Sequence, residues 1–208
     1  MLPLEAEART SGVVEDPWLL ANELFSPCYI GGWSAAEHWG LTEQIFRSTF
    51  VATATRVRRS KLDIAGAEFH LAQVPRRRHQ GVGTTWRGSE RGPLSGPERT
   101  IADALVDPAW LGGVRHLADV LRAHRESKSW RPETLIAELD LVGTGASFKR
   151  LGFLVEALEL DAPAIIAAAA TRKTTGIVKL DPAIRSRGRF LKRWGLWVNA
   201  SVGEEARG

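Results

Sequence analysis

Residues 95–108, SGPERTIADALVDP, divide the chain into two kinds of text. Ser95, Gly96 and Pro97 open a helix, with proline at a first-turn position where its missing N–H is not needed. Ile101, Ala104 and Leu105 recur at helical spacing and mark the inward face. Asp107 followed by Pro108 closes the helix, because a residue before proline is pushed out of the α region. Arg99 and Asp103 lie one turn apart and can pair, a contribution of a few tenths of a kcal/mol if the pair is exposed. Glu98 sits in the first turn, where the helix dipole favours a carboxylate. If partly buried, Glu98, Arg99 and Asp103 would fix how the helical half docks on the sheet. The competing reading, carboxylates acting as acid and base, is not singled out by the spacing.

Downstream of this helix the period stays helical. Val114, Leu117, Val120 and Leu121 give one apolar stripe, and Leu135, Ile136 and Leu139 give another. Phe148, Leu151, Leu154, Val155 and Leu158 give a third, and Asp161 caps a short alanine-rich helix ending near Thr171. Strand-like text returns at IVKLDP (177–182) and WGLWVN (194–199).

Upstream, alternation of period two takes over. FVATATRV (50–57) and EFHLAQVP (68–75) read as strands joined by a polar, hairpin-like connection, and GVGTTWRG (81–88) as a weaker third. Earlier still, Asp16-Pro17 starts a helix that runs to Pro27, Tyr29 and Ile30 read as extended, and WSAAEHW (33–39) forms a short helix stopped by Gly40. The expected fold class is therefore α+β: a small antiparallel sheet packed against a helical half, as a single domain over residues 16–199. Residues 1–15 read as a flexible arm and residues 200–208 as a tail.

A chain of 208 residues, 44% hydrophobic and 25% charged, has the material for one domain with a substantial core. No apolar run reaches the roughly 18 residues needed to span a bilayer, so no membrane partner is expected. MLPLEAEART lacks the basic and apolar regions of a signal peptide, which makes the cytoplasm the expected location. Cys28 is the one cysteine, which excludes an intramolecular disulfide and a thiolate zinc cluster. His38, His70, His79, His116 and His124 show no metal-ligand spacing, and no metal is expected. His38 reads as a structural imidazole hydrogen-bonded to backbone. Gly143 to Lys149, GTGASFK, lacks P-loop spacing and reads as a helix–helix turn.

The formal charge of +4 is small, but the arginines cluster. Arg56, Arg58, Arg59 and Lys61 form one group, Arg76, Arg77 and Arg78 a second, and Arg185, Arg187, Arg189, Lys192 and Arg193 a third. Such groups suit phosphate or an acidic protein partner. Of the eight tryptophans, Trp33, Trp39, Trp194 and Trp197 lie in apolar text and read as core, while Trp110 and Trp130, beside loops, are candidate exposed anchors for a partner.

Read in order, YIGGWSAAEHWGLTEQI (29–45), FVATATRVRR (50–59), FHLAQVP (69–75), GPERTIADALVDP (96–108), FKRLGFLVEAL (148–158), KLDP and RGRFLKRWGLWVN resemble the AbiEi family of antitoxins from abortive-infection and related bacterial toxin–antitoxin systems. The resemblance implies a cytoplasmic protein that neutralises a nucleotidyltransferase-like toxin, with the toxin as its partner. Many members also carry an N-terminal winged-helix domain that binds promoter DNA. The stretch before residue 29 has no such pattern, so promoter DNA is only weakly expected as a partner, through the basic loops alone. For some relatives, neutralisation is thought to proceed by phosphorylation of the toxin. In that alternative the chain would be an atypical serine/threonine kinase using ATP, with Asp103 and Lys149 as candidate catalytic parts. HRD, DFG and a kinase Gly-rich loop are absent from the text. Outside that alternative no cofactor is expected.

Overall fold

The computed structural model describes residues 16–202. The expected arm (1–15) and residues 203–208 of the expected tail lie outside the described residues. Helix α1 (Pro17–Phe25) starts as its sequence requires, with Asp16 Oδ1 accepting the Trp18 N–H at 2.8 Å. Strand β1 (Cys28–Ile30) and helix α2 (Gly32–His38) follow, then strands β2 (Thr49–Thr53), β3 (Lys61–Ile64), β4 (Ala67–Gln73), β5 (Gly83–Arg87) and β6 (Glu90–Leu94). The helical half comprises α3 (Pro97–Val106), α4 (Val114–Glu126), α5 (Pro132–Val142), α6 (Gly145–Ala157) and α7 (Pro163–Arg172). Three short strands, β7 (Val178–Lys179), β8 (Arg189–Leu191) and β9 (Leu196–Val198), close the described chain. Among the described residues, no helix is long and apolar enough to cross a membrane.

The architecture is α+β: a six-stranded sheet in the order β3-β4-β2-β1-β6-β5, five helices on one of its faces, and a three-stranded sheet β7-β9-β8 beyond them. Alternation along the central strands sorts residues to the two faces. Tyr29, Phe50 and Ala52 join the large core shared with α3, α4, α5 and α6. Cys28, Ile30 and Val51 face the other way, into a smaller core closed by Ala21 and Phe25 of α1. All five residues of β2 are buried, as a central strand covered on both faces must be.

The sheet is larger than expected and is mixed. β2 and β4, read from sequence as neighbours across a hairpin, are parallel, in the register Thr49↔Phe69 to Thr53↔Gln73. The true hairpin is β3–β4, and β4 lies between β3 and β2. Burial explains the order. β4 alternates buried and accessible positions and takes an inner place, whereas β3, exposed and half-buried in turn, takes the edge. β6 was missed because Gly92 and Pro93 interrupt it; it pairs with β1 at its last residue only, Leu94↔Ile30. Trp39, expected in the core, is 41% exposed, with its indole N–H donating to Ser95 O at 2.8 Å.

Close approaches fix two joints. Gly32 has φ +50°, and a Cβ there would stand 2.5 Å from Trp110 O and 2.8 Å from the Phe50 ring. Gly152 of α6 lies beneath Trp194, whose ring atoms would be 2.3 Å from an added Cβ. The same indole donates to Glu156 Oε2 at 2.6 Å, seating the small sheet on α6. Gly152→Ala should therefore lower the unfolding free energy by about 1–3 kcal/mol through overpacking. Urea denaturation followed by tryptophan fluorescence checks it, and an unchanged midpoint would contradict the tight seat.

Candidate functional site

The residues of greatest chemical interest in sequence converge on a joint between the sheet and the helical half. Tyr29 Oη, from β1, donates to Asp103 Oδ2 at 2.7 Å, and Arg99 Nε donates to the same oxygen at 3.1 Å. Arg78 Nη1, from the 3-10 turn Arg76–His79, lies 3.5 Å from Asp103 Oδ1. Arg99 extends the network through Nη1 to Glu138 Oε2 on α5 and to Gln80 O, both at 3.2 Å, and through Nη2 to Arg78 O. Its guanidinium stands 5.6 Å from the centre of the Tyr29 ring. Arg99 and Asp103 are each 1% exposed. Burial pushes the Asp103 carboxyl up despite the opposing pull of Arg99, Tyr29 and Arg78. Burial and the Asp103 charge likewise push the Tyr29 phenol well above its ordinary value. The cluster is enclosed and its ligands are each other, which is the geometry of a structural lock.

The other expected catalytic candidate lies in a different network. Lys149, 1% exposed on α6, donates Nζ to Gly176 O. Burial and nearby Lys173 hold its ammonium below the ordinary value. Its neighbour Arg150, read from sequence only as part of a motif, spends its guanidinium on four carbonyls: Leu180 at 2.9 Å, Leu105 at 2.9 Å, Val106 at 3.2 Å and Lys179 at 3.3 Å. It thereby neutralises the carboxyl end of α3. Asp181 of KLDP accepts the Val114 N–H at 3.0 Å and so caps α4 from a distance, while Asn199 holds the Asp181 loop through N–H bonds to Asp181 O, Ile184 O and Ser186 O. The motif words are the fastenings of the fold.

Glu98 also has a partner that sequence reading missed. It lies 3.2 Å from Nε2 of His124, which is fully buried on α4 against Trp130, with ring centres 5.4 Å apart. Burial pushes the Glu98 carboxyl up, but the close contact with His124, a backbone hydrogen bond and the charges of His124 and Arg131 outweigh it and hold the group below its ordinary value. The eight-residue spacing of His116 and His124 was visible, but not Glu98 lying on another helix. His116 is likewise consumed by structure, with Nδ1 2.7 Å from Leu111 O and Nε2 2.8 Å from Thr42 Oγ1.

Several expected partner contacts require correction. Arg78 is turned inward onto Asp103 and onto Val142 O at 3.0 Å, so the 76–78 run offers only Arg76 and Arg77 to solvent. Trp110 is 5% exposed, packed 4.8 Å from the Phe50 ring, because the turn that carries it covers β2. Trp130 is half-buried and braces His124. Trp33 is buried as expected, its indole donating to Ser48 O at 2.7 Å. His38 has no backbone hydrogen bond among the described residues and is exposed, its ring 5.4 Å from Trp18 and 4.9 Å from Trp39. Aromatic contact replaced the expected hydrogen bond.

What remains open to solvent is basic. The parallel β2–β4 pair ends both strands at one edge of the sheet, so the segments that follow, 54–61 and 74–80, emerge side by side. Val57 N donates to Gln73 Oε1 at 3.3 Å across the two. Arg56, Arg58, Arg59, Lys61, Arg76 and Arg77 are all exposed there. Together with Arg78 these segments hold seven basic residues and no Asp or Glu. Removing those seven from 28 Lys and Arg leaves 21 against 24 Asp and Glu, so the rest of the chain is net negative. The third cluster is exposed as well, with Arg193 paired with Glu156 at 2.7 Å and Arg187 5.9 Å from the Trp197 ring.

Beside the basic end runs a groove of about 470 Å³, where the helical half covers β2 but leaves the same face of β4 open. Phe50, His70, Val74, Arg78, Asp107 and Trp110 are among its walls. Neither Asp103 nor Lys149 lines it. Among the described residues, no cluster of His, Cys, Asp and Glu could hold a metal ion.

No protein-family model matches the chain, and no curated protein matches it in sequence. Among solved structures, the crystal structure of the RV2827C protein from Mycobacterium tuberculosis is similar, with a TM-score of 0.59, 18% identity, and coverage of 88% of this chain and 68% of that one. At that identity the likeness is one of fold.

Asp103→Ala would leave two guanidiniums facing each other without their carboxylate, and should cost about 3–5 kcal/mol of stability by denaturant titration. Glu98 supplies a pH test. A carboxyl held low in the folded state stabilises above its unfolded pKa of about 4.3, and that stabilisation disappears as pH falls through the folded value. The stability lost between pH 6 and pH 3 should thus be smaller in Glu98→Gln than in the parent. Equal losses would show that the pair is not coupled to folding.

Proposed function

We propose that this chain is a cytoplasmic antitoxin that binds and suppresses a nucleotidyltransferase-like toxin. The order of the motif words supports the family resemblance. The observation that carries the reading of it as a binding protein is the concentration of exposed arginine, unpaired among the described residues, at one end of the sheet, beside an open groove. Five of the motif residues are occupied: Tyr29, Arg99 and Asp103 lock the sheet to α3, while Arg150 and Asp181 fasten the carboxyl-terminal segment. A partner is therefore met by the basic loops, which take in Arg56, Arg58 and Arg59 at the end of the 50–59 word. An acidic protein surface suits Arg56, Arg58, Arg59, Arg76 and Arg77, where complementary charge raises the encounter rate and selects the partner.

The kinase alternative has weaker support. Asp103 is enclosed by Arg99, Arg78 and Tyr29, and Lys149 is committed to Gly176 O. Promoter DNA is a charge-compatible partner for the same arginines, and its affinity would fall steeply with salt.

Co-expression with the product of the adjacent gene should relieve growth arrest. Replacing Arg56, Arg58, Arg59, Arg76 and Arg77 together by Glu should reduce rescue at least about tenfold in plating efficiency, with circular dichroism unchanged. Failure of the parent chain to rescue would end the antitoxin reading. An added phosphate mass on a catalytically dead toxin, after incubation with the purified chain and ATP, would favour the catalytic alternative.

A further inference from the structure

We propose that the groove between the open face of β4 and the turn carrying Trp110 is a docking socket for an extended acidic protein segment that inserts one apolar side chain. Its walls decide the class of ligand. The groove has the volume of a ligand site, within the roughly 300–1,000 Å³ common for such clefts, and eight of its twelve lining residues are apolar. Ala72, Pro75, Val106 and Ala109 are its accessible apolar walls, over a floor of Phe50, Val74 and Trp110, and receive an apolar anchor. His70 lies flat against Phe50, with ring centres 5.2 Å apart and planes 12° apart. Burial and Lys61 hold its imidazole below the ordinary value against the pull of Asp107, so the wall it forms is neutral near pH 7. The Trp110 indole N–H makes no hydrogen bond among the described residues, which leaves a donor available at the groove.

Charge completes the specification. Pro75 and Arg78 line the groove, and Arg76 and Arg77 between them are exposed at its rim. Arg56, Arg58 and Arg59 emerge at the same end of the sheet. A segment with carboxylates flanking an apolar anchor would place the anchor in the groove and its charges on these arginines. A nucleic acid fits less well, because the Trp110 ring, 5% exposed and packed on Phe50, has no free face for a base to stack upon.

The proposal deepens the antitoxin reading by naming the chemistry of the partner, and its test uses no toxin. Fluorescence anisotropy of the full chain is measured with a fluorescein-labelled acidic heptapeptide of Asp and Glu bearing a central Phe, with the same peptide bearing central Ala, and with a single-stranded 12-nucleotide DNA. The Phe peptide should bind at least about tenfold tighter than the Ala peptide, as a buried aromatic anchor requires. Ala109→Trp, at an exposed position in the groove wall, should erase that preference, and Ala109→Glu should do so by repulsion if the larger ring perturbs folding. Arg76→Glu with Arg77→Glu should weaken both peptides and leave their ratio intact. Equal affinity for the two peptides, a preference that survives both Ala109 variants, or tighter binding of the DNA than of the Phe peptide would overturn the socket. Loss of the socket leaves toxin rescue to be judged separately, and a failed rescue leaves the peptide result standing.

Discussion

Asp103 is a carboxylate taken out of water, and the arrangement of the molecule follows from how it is compensated. Two arginines and a tyrosine phenol converge on it from α3, the 3-10 turn after β4, and β1. Desolvating a charge costs several kcal/mol unless good geometry repays it, so a cluster of this kind contributes more to uniqueness than to net stability. An alternative packing of α3 on the sheet would strand at least one of these charges. The joint also reaches α5 through Glu138, so one side chain on α3 sets the position of two helices and a sheet.

The remaining fastenings repeat the same logic with neutral partners. Arg150 consumes backbone carbonyls at the end of α3, Asp181 consumes a backbone N–H at the start of α4, and Asn199 closes the loop that presents Asp181. Arg150 and Asp181 satisfy main-chain groups that a helix end cannot satisfy alone, and Asn199 satisfies carbonyls of the loop. The small sheet is therefore tied to the helical half by polar contacts as well as by Trp194.

Much of this was legible from sequence, and the failures share a cause. Helix starts at Asp16-Pro17 and Gly96-Pro97 are local signals and were readable. The Arg99–Asp103 pair was visible as a one-turn spacing, but its partner Tyr29 lies 74 residues away, and no periodicity reports such a contact. Strand alternation located β2 and β4 yet could not tell parallel from antiparallel pairing, because direction is decided by which neighbour arrives. β3, short and polar, and β6, carrying Gly and Pro, lack the apolar signal because edge and near-edge strands do not need it. Trp110 was misplaced because a turn between Pro108 and Gly112 looks like surface in text. In the fold, that turn lies over β2.

The Arg76–His79 turn shows how misleading a run of one letter can be. Arg76 and Arg77 face water while Arg78, next in the chain, is part of the lock around Asp103. One triplet thus carries two unrelated obligations, one toward whatever approaches the surface and one toward the interior. The outer pair answers to a contact at the surface, while the third arginine is bound to a fixed geometry. A block replacement of the triplet would confuse the two, reporting a collapsed joint as a lost contact.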